Sequence, residues 1–484
     1  MIKKYIGVLY IIVLFLFLLG YFLTASRFEK NGLEYFFLTI LTIISCCLLL
    51  LYIYKPIAFG LPIWIMFSYF IIAYYFKFYW LISNPNFAFQ RFHLLPQIID
   101  SEEILISTYR IVTYSFVGFC MIAWIFLNKI KTKKIDLIFQ HIDSNKIIYW
   151  KQLNLFILPL VFILIFFSNY LMYSKNIAIM GAKSVYLPFR LSGITFYIAL
   201  VIIPGILIFL CWLNYQKKPR IYFLLSISLL ILHGLAQTLI RTSKGSIIGI
   251  LICIIILLIM ERVKFSKDKL LLFAASILLI FLLYPIISSY RWIRVADPKG
   301  GLFSGISSAI MMLISNSDGG FRSIFVNTFN SMFHRLTGVE SLMMIIAKSF
   351  KPLGIGALNN FPIFGGRGLA KIFTLEVEGI PEYIVHSSAP SFLGWFYMVG
   401  GHWFVIIGPV FFITIIWIAW LWILKANLKC KPIALILYLS MLIGWILDGC
   451  LDTIFHWGTL STIIVIIFCE LLLRTLGNES LIVS

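Results

Sequence analysis

Charge is what this sequence has least of. Only 12% of its 484 residues are Asp, Glu, Lys or Arg, and the acids number 19 against 39 Lys and Arg. That scarcity excludes an array of water-soluble domains, which carry about 25% charged residues. The eight cysteines sit mostly in apolar runs, as at Cys46 and Cys47, and form no CxxC pair. A disulfide framework and a cysteine-ligated zinc module are thereby excluded. A Walker phosphate loop, an HExxH helix and a serine elbow are all missing, so ATP hydrolysis and the common hydrolase chemistries lack support. No internal repeat emerges, and an inverted-repeat transporter gains nothing from the pattern. The net charge of +20 does not point to nucleic acid. Much of it belongs to short segments between apolar runs, where it sets topology and attracts anionic lipid.

What the chain has instead is apolar length: 61% of residues are hydrophobic and the mean hydropathy is +1.00. The expected fold is all-α, a polytopic membrane bundle of about 12 transmembrane helices with a large, partly helical outer loop. Candidate spans fall near 5–24, 35–53, 57–76, 105–128, 153–172, 191–213, 221–239, 246–260, 270–290, 402–424, 432–447 and 459–473. The opening MIKKYIGVLYIIVLFLFLLGYFLT has the charged start of a signal peptide but too long an apolar run, and reads as an uncleaved first span. Lys and Arg are concentrated in MIKK, 129–152, YQKKPR (215–220), ERVKFSKDK (261–269) and KANLKCK (425–431), which places these segments and both termini on the cytoplasmic side. One membrane domain results, with spans 1–9 over residues 1–290, a large outer loop over 291–391 and spans 10–12 over 392–484. A structureless loop that long is rare, so 291–391 is expected to be folded and functional. Within it, 301–316 and 341–350 are apolar enough to lie in the interface as amphipathic or re-entrant helices, whereas 361–373 is rich in glycine and reads as loop.

The outer span ends gather polar residues. His233, Gln237 and Arg241 recur every four residues on the seventh span and lead to Lys244 in RTSKG. A plainer reading makes His233 and Gln237 helix-to-helix hydrogen-bond partners and Arg241 a snorkelling interface residue. However, the RTSKG turn also sets two cations beside the start of the eighth helix, where an anion can sit. Arg291 and Arg294 lie one helical turn apart in SSYRWIRVADPKG, where Trp292 makes interfacial anchoring an equal reading. Arg190, Arg322, Arg335 and Arg367 complete the set. The loop's nine Lys and Arg against six Asp and Glu are a modest surplus. What distinguishes the pattern is arginine at membrane boundaries, since its planar fork grips phosphate at two points. Hydrogen bonds to charged groups contribute about 1.5–3 kcal/mol each, so two or three arginines suffice to fix a diphosphate head group. Arg241 and Lys244 thus read as part of an outward-facing site for a lipid-linked diphosphate.

For proton transfer the stretch 381–408 offers Glu382, Tyr383, His386 and His402. A histidine near such a site is suited to take a proton from a sugar hydroxyl, since its ordinary pKa of about 6.5 lies near working pH. Structural hydrogen bonding is the bland account of His386, and packing that of His402 and His456. Asp448, Asp452 and His456 repeat the four-residue spacing, as helix-end or bundle hydrogen-bonding residues or as a carboxylate beside the head group. Glu376 and Glu378 in LEVEG make a weak divalent-ion pair, and no metal or other cofactor is expected.

The order YLPFRLSG, LIRTSKGSIIGIL, SYRWIR, HRLTGVE and HSSAPSFLGWFYMVGGHWFVIIG, over about the second two-thirds of the chain, resembles Wzy-type O-antigen polymerases, membrane enzymes of bacterial surface polysaccharide assembly. The resemblance implies transfer of a growing glycan from undecaprenyl diphosphate to the non-reducing end of a lipid-linked repeat unit on the periplasmic face of the inner membrane. It further implies that Arg190, Arg241, Arg291, Arg294 and Arg335 bind the diphosphates, and that His386 or Glu382 activates the acceptor hydroxyl. Partners would be the undecaprenyl diphosphate-linked oligosaccharide, membrane lipid, a chain-length regulator and a flippase. Lys244 stands where the polymerase motif usually has a small residue or arginine, which puts its own role in question. O-antigen ligases share an outer loop with arginine and histidine and stay open as an alternative, as does a flippase or other transporter of lipid-linked sugars, which would need its charges in a central cavity.

Overall fold

The computed structural model describes residues 2–52, 57–85, 95–129, 150–179, 185, 187–188, 191–215, 220–243, 245–260, 284–297, 301–315, 338–361, 368–380, 389–448, 451 and 457–476. Among the described residues the chain is helical, with no strand. The principal helices are α1 (Ile2–Thr24), α2 (Gly32–Leu50), α3 (57–83), α4 (Glu102–Lys129), α5 (Trp150–Ser174), α6 (Leu191–Tyr215), α7 (Ile221–Arg241), α8 (Gly245–Met260), α9 (284–296), α10 (Leu302–Ser315), α11 (Val339–Ala347), α12 (Phe392–Lys425), α13 (Lys431–Asp448) and α14 (Trp457–Leu476).

Nine described helices are long and apolar enough to cross a bilayer, and the apolar stretches of α8 and α13 are shorter. A helical membrane bundle is therefore what the sequence builds, although length and composition do not bring the count to twelve among the described residues. Much of the expected ninth span, 270–290, lies outside them. The lipid-facing surfaces are plain: Phe15 and Phe22 on α1 and Phe156, Ile163 and Phe166 on α5 are exposed, as suits hydrocarbon rather than water. On α12, Trp403 (79% exposed) and Trp422 (70%) stand 19 residues apart. At 1.5 Å per residue that is about 28 Å, so the two indoles sit one hydrocarbon thickness apart, as interfacial belts do.

Hydroxyl and amide pairs stitch these helices together. Thr24 meets Tyr35 (2.6 Å), Tyr109 meets both Thr39 (3.1 Å) and Tyr79 (2.9 Å), and Thr42 on α2 donates to the Tyr75 hydroxyl on α3 and meets Thr113 on α4. Asn154 on α5 and Asn214 on α6 exchange two side-chain bonds at 2.9 and 2.7 Å. Between apolar surfaces in lipid, such bonds select the partner that packing alone leaves open.

Among the described residues, three π turns each release one carbonyl from its α-helical donor. In α3, over Phe70–Phe76, the Lys77 N–H reaches back to Ile72 instead of Ala73. In α6, over Ile198–Ile202, the Ile203 N–H bonds Ile198, and the following Pro204 has no N–H to offer Ala199. Next to Leu369–Ile372, the turn Phe373–Val377 sends the Glu378 N–H to Phe373, and the released Thr374 carbonyl takes the Ile380 N–H at 2.8 Å. Single π turns of this kind concentrate at functional positions. Here they place acceptors where neighbouring segments can use them.

The long α12 is not one rod. Gly401 has φ +69° and ψ −158°, and the chain reverses there. Phe392 stacks edge-on against Phe412 at 5.1 Å, Phe396 against Phe404 at 5.5 Å, and Phe396 fills the space where Gly408 lacks a side chain. Contacts paired in this way around Gly401 mean that 392–400 folds back along 402–425. The expected span 402–424 thus begins at the reversal, and the preceding arm is re-entrant, starting level with Phe70 on α3. Its first N–H groups are capped locally. Leu393 donates to the Tyr74 hydroxyl (2.8 Å) and Gly394 to Ser391 Oγ (3.3 Å).

The helix α11 from the long loop is also enclosed. The sequence suggested a place in the interface or re-entry for 341–350. In the structure Val339 through Ile345 are all buried, packed against α4 and α12. By contrast α10 keeps an exposed apolar face in Phe303 and Met311, the amphipathic form expected of it.

Candidate functional site

Arginines meet where α5, α7 and α9 come together. Helix α7 ends at Thr242, a non-glycine residue in the left-handed region at φ +52°, with the Ser243 N–H returning to the Thr238 carbonyl at 3.1 Å. Helix α5 ends in the same way: Asn176 has φ +53° and the Ile177 N–H bonds the Met172 carbonyl at 2.9 Å. Each turn is taken by one arginine of α9. Arg291 donates from Nε (2.9 Å) and Nη2 (2.6 Å) to the Thr242 carbonyl, and Arg294 donates from Nη2 to Asn176 Oδ1 at 3.0 Å. The one-turn spacing of the two arginines matches two helix C-termini, whose dipoles favour cations.

Arg241 and Arg294 are both buried. Arg241 is 6% exposed, lies over the Phe196 ring at 4.8 Å and donates from Nη1 to Ser246 Oγ at 3.1 Å. Arg294, 3% exposed, lies over Tyr173 at 4.6 Å. Both guanidinium groups are thus flanked by an aromatic face, which orients the fork and shields it from water. Beneath them is a separate small apolar cluster of Met172, Ile177, Ala199 and Ile240.

His233 and Gln237 do make the helix-to-helix bonds that their plainer reading expects. His233 Nε2 donates to the Ala199 carbonyl at 2.6 Å, the acceptor released by the α6 π turn. Gln237 Nε2 donates to Asn169 Oδ1 at 2.5 Å and lies 3.6 Å from the Met172 sulfur.

The structure therefore joins three of the sequence candidates, Arg241, Arg291 and Arg294, at one place. Arg190, Lys244, Arg335, Glu382 and His386 lie outside the described residues, as do Arg322, Arg367, Tyr383, Asp452 and His456. His402 is exposed and packs edge-on against Tyr397 at 5.0 Å. Glu376 is exposed at the π turn after Ile372, and among the described residues no group of three metal-ligating side chains occurs.

A second polar centre was not anticipated. Lys77, 0% exposed, binds Glu340, 2% exposed, at 2.5 Å. The sequence reading ended the third span at residue 76 and left Lys77 outside it. The π turn instead carries α3 on to Ser83, so the cation is enclosed. Its signal was available: one lysine inside AYYFKFYW is a lone charge in an apolar run, and such charges are functional by default. Beside the pair, Ser341 Oγ donates to the Ala389 carbonyl at 3.1 Å, and Gly338 lies so close to the released Ala73 carbonyl that a Cβ there would collide with it. The starts of α11 and α12 are therefore fixed to α3 and to each other.

Compared with known proteins, the chain matches no family model, no curated protein and no solved structure.

Proposed function

We propose that this chain is a polysaccharide repeat-unit polymerase of the bacterial inner membrane. It transfers a growing glycan from undecaprenyl diphosphate to the non-reducing end of a lipid-linked repeat unit on the periplasmic face, with both termini cytoplasmic. The observation that carries the reading is the convergence of Arg241, Arg291 and Arg294 at the ends of α5 and α7, on the side of the bundle where the 291–391 segment emerges. A diphosphate leaving group needs fixed positive charge at the membrane boundary, and arginines held by their surroundings supply it without reorganising. In this reading Arg291 and Arg294 hold the two turns and lend charge, while Arg241, with Arg190, Lys244 and Arg335, contacts the diphosphates.

The reaction breaks the bond between the glycan's anomeric carbon and the diphosphate oxygen, and the electron pair leaves on undecaprenyl diphosphate. The acceptor hydroxyl oxygen forms the new glycosidic bond, and its proton passes to His386 or, failing that, Glu382. No nucleotide sugar or ATP is needed, since the bond energy resides in the lipid-linked donor. A chain-length regulator and a flippase would be its working partners.

The test is glycan length in a deletion strain complemented at matched membrane levels with the intact protein, Arg241→Ala or His386→Ala. Single-repeat glycan in the deletion and both variants, with long chains restored by the intact protein, supports the reading. Accumulation of long lipid-linked chains in the deletion indicates a ligase instead. Repeat units trapped on the cytoplasmic leaflet indicate a flippase.

A further inference from the structure

On α7, His233 and Gln237 are each 1% exposed, and each leaves one polar atom over. His233 commits Nε2–H to the Ala199 carbonyl, so in the neutral ring Nδ1 is the acceptor. Among the described residues nothing donates to that Nδ1, nor to Gln237 Oε1, whose Nε2 is committed to Asn169. The apolar sequence at 270–283, LLLFAASILLIFLL, which leads into α9, offers no side-chain donor but Ser276. Buried acceptors in an apolar setting demand a partner, because burial has already removed their bulk water.

Geometry narrows what that partner is. Side chains four residues apart on a helix stand about 5–6 Å apart at their Cβ atoms, a gap that one water bridges with two hydrogen bonds. Water also suits the chemistry: it gives one hydrogen to His233 Nδ1 and the other to Gln237 Oε1. If the amide is turned, it accepts from the amide instead, so the fit holds for either orientation. The side chains nearby are small: Ala199 belongs to the apolar cluster named above and Ala236 packs against it. A sugar or a lipid head group is too large for a place where both side chains are almost wholly enclosed.

We propose that His233 and Gln237 hold a bound water between them, enclosed within the bundle about two helical turns inward of the arginine turn at 241–242. The inference goes beyond the polymerase reading and stands whatever reaction the protein performs.

Radiolytic hydroxyl-radical labelling of the full chain in nanodiscs tests it, because radicals made from a bound water oxidise the side chains around it. The probe is Met172, fully buried with its sulfur 3.6 Å from Gln237 Nε2, and the dry reference is Met66, also fully buried but in the main core. The expected result is several-fold stronger oxidation of Met172 than of Met66, returning to the Met66 level in the His233→Leu, Gln237→Leu double variant. Equal, negligible labelling of both methionines in the native protein overturns the proposal without recourse to any variant. Labelling of Met172 that persists in a folded double variant overturns it too, because the water would then be held by something other than this pair.

Discussion

Lys77 and Glu340, 263 residues apart, form an almost fully enclosed ion pair. Such a pair adds little stability over apolar residues of the same size, but removing one partner strands the other charge. Lys77→Met or Glu340→Met alone should therefore cost about 3–5 kcal/mol, and the double Met variant should recover most of it. Thermal unfolding of the four proteins in detergent closes the cycle. Additive losses would show that the two charges do not depend on one another.

Arg291 secures the left-handed turn at Thr242 through two hydrogen bonds to one carbonyl. Lysine keeps the charge but lacks the fork, so Arg291→Lys should loosen the turn, at about 1.5–3 kcal/mol for the charge-assisted bonds lost. Limited proteolysis at the RTSKG turn should be faster in Arg291→Lys than in the native protein. In the complementation assay, glycan should shorten even though the net charge is unchanged.

At Gly338 no side chain fits, because the Ala73 carbonyl oxygen occupies the place a Cβ would take. Gly338→Ala should displace α11 and lower the midpoint of unfolding, whereas Gly356→Ala, with nothing within 4 Å, should behave as native. Equal behaviour of the two variants would remove the close approach of α11 to α3 from the account.

Cys430, in the turn between α12 and α13, is fully buried, and burial pushes its thiol well above the ordinary range, with the Glu470 carboxylate adding to the shift. A raised thiol pKa leaves less thiolate at any given pH, so alkylation by N-ethylmaleimide at pH 8 should be slower than for a free cysteine peptide. Mass spectrometry of the alkylated protein gives the rate. Denaturation should abolish the difference.

The span edges were readable because an apolar run bounded by polar residues has nowhere else to end. Observed α4, α5, α6, α7, α13 and α14 lie within a few residues of the expected ranges. The reversal at Gly401 was not readable as such, since GG inside an apolar stretch is compatible with a straight helix, and what bends it is the pairing of Phe392 with Phe412. Lys77 was misplaced because hydropathy windows see composition and not π turns. At the candidate site, the four-residue spacing of His233, Gln237 and Arg241 correctly put them on one face. The arginine spacing on α9 was visible as well, but not its targets, because the Thr242 carbonyl is freed and the Asn176 amide is aimed only by the left-handed turns that end their helices.

The hydroxyl of Ser115 on α4 bonds the Val405 carbonyl of α12, and that of Tyr74 on α3 bonds Ser391. Those partners are synthesised 290 and 317 residues later. At about 5–20 residues per second, the ribosome needs roughly 15–60 s to supply them. For most of that interval Glu340, which Lys77 binds in the finished fold, has yet to be made. The last third of the chain therefore completes the first: the polar contacts that α3 and α4 make with α11 and α12 can form only once residues 340–405 have been made.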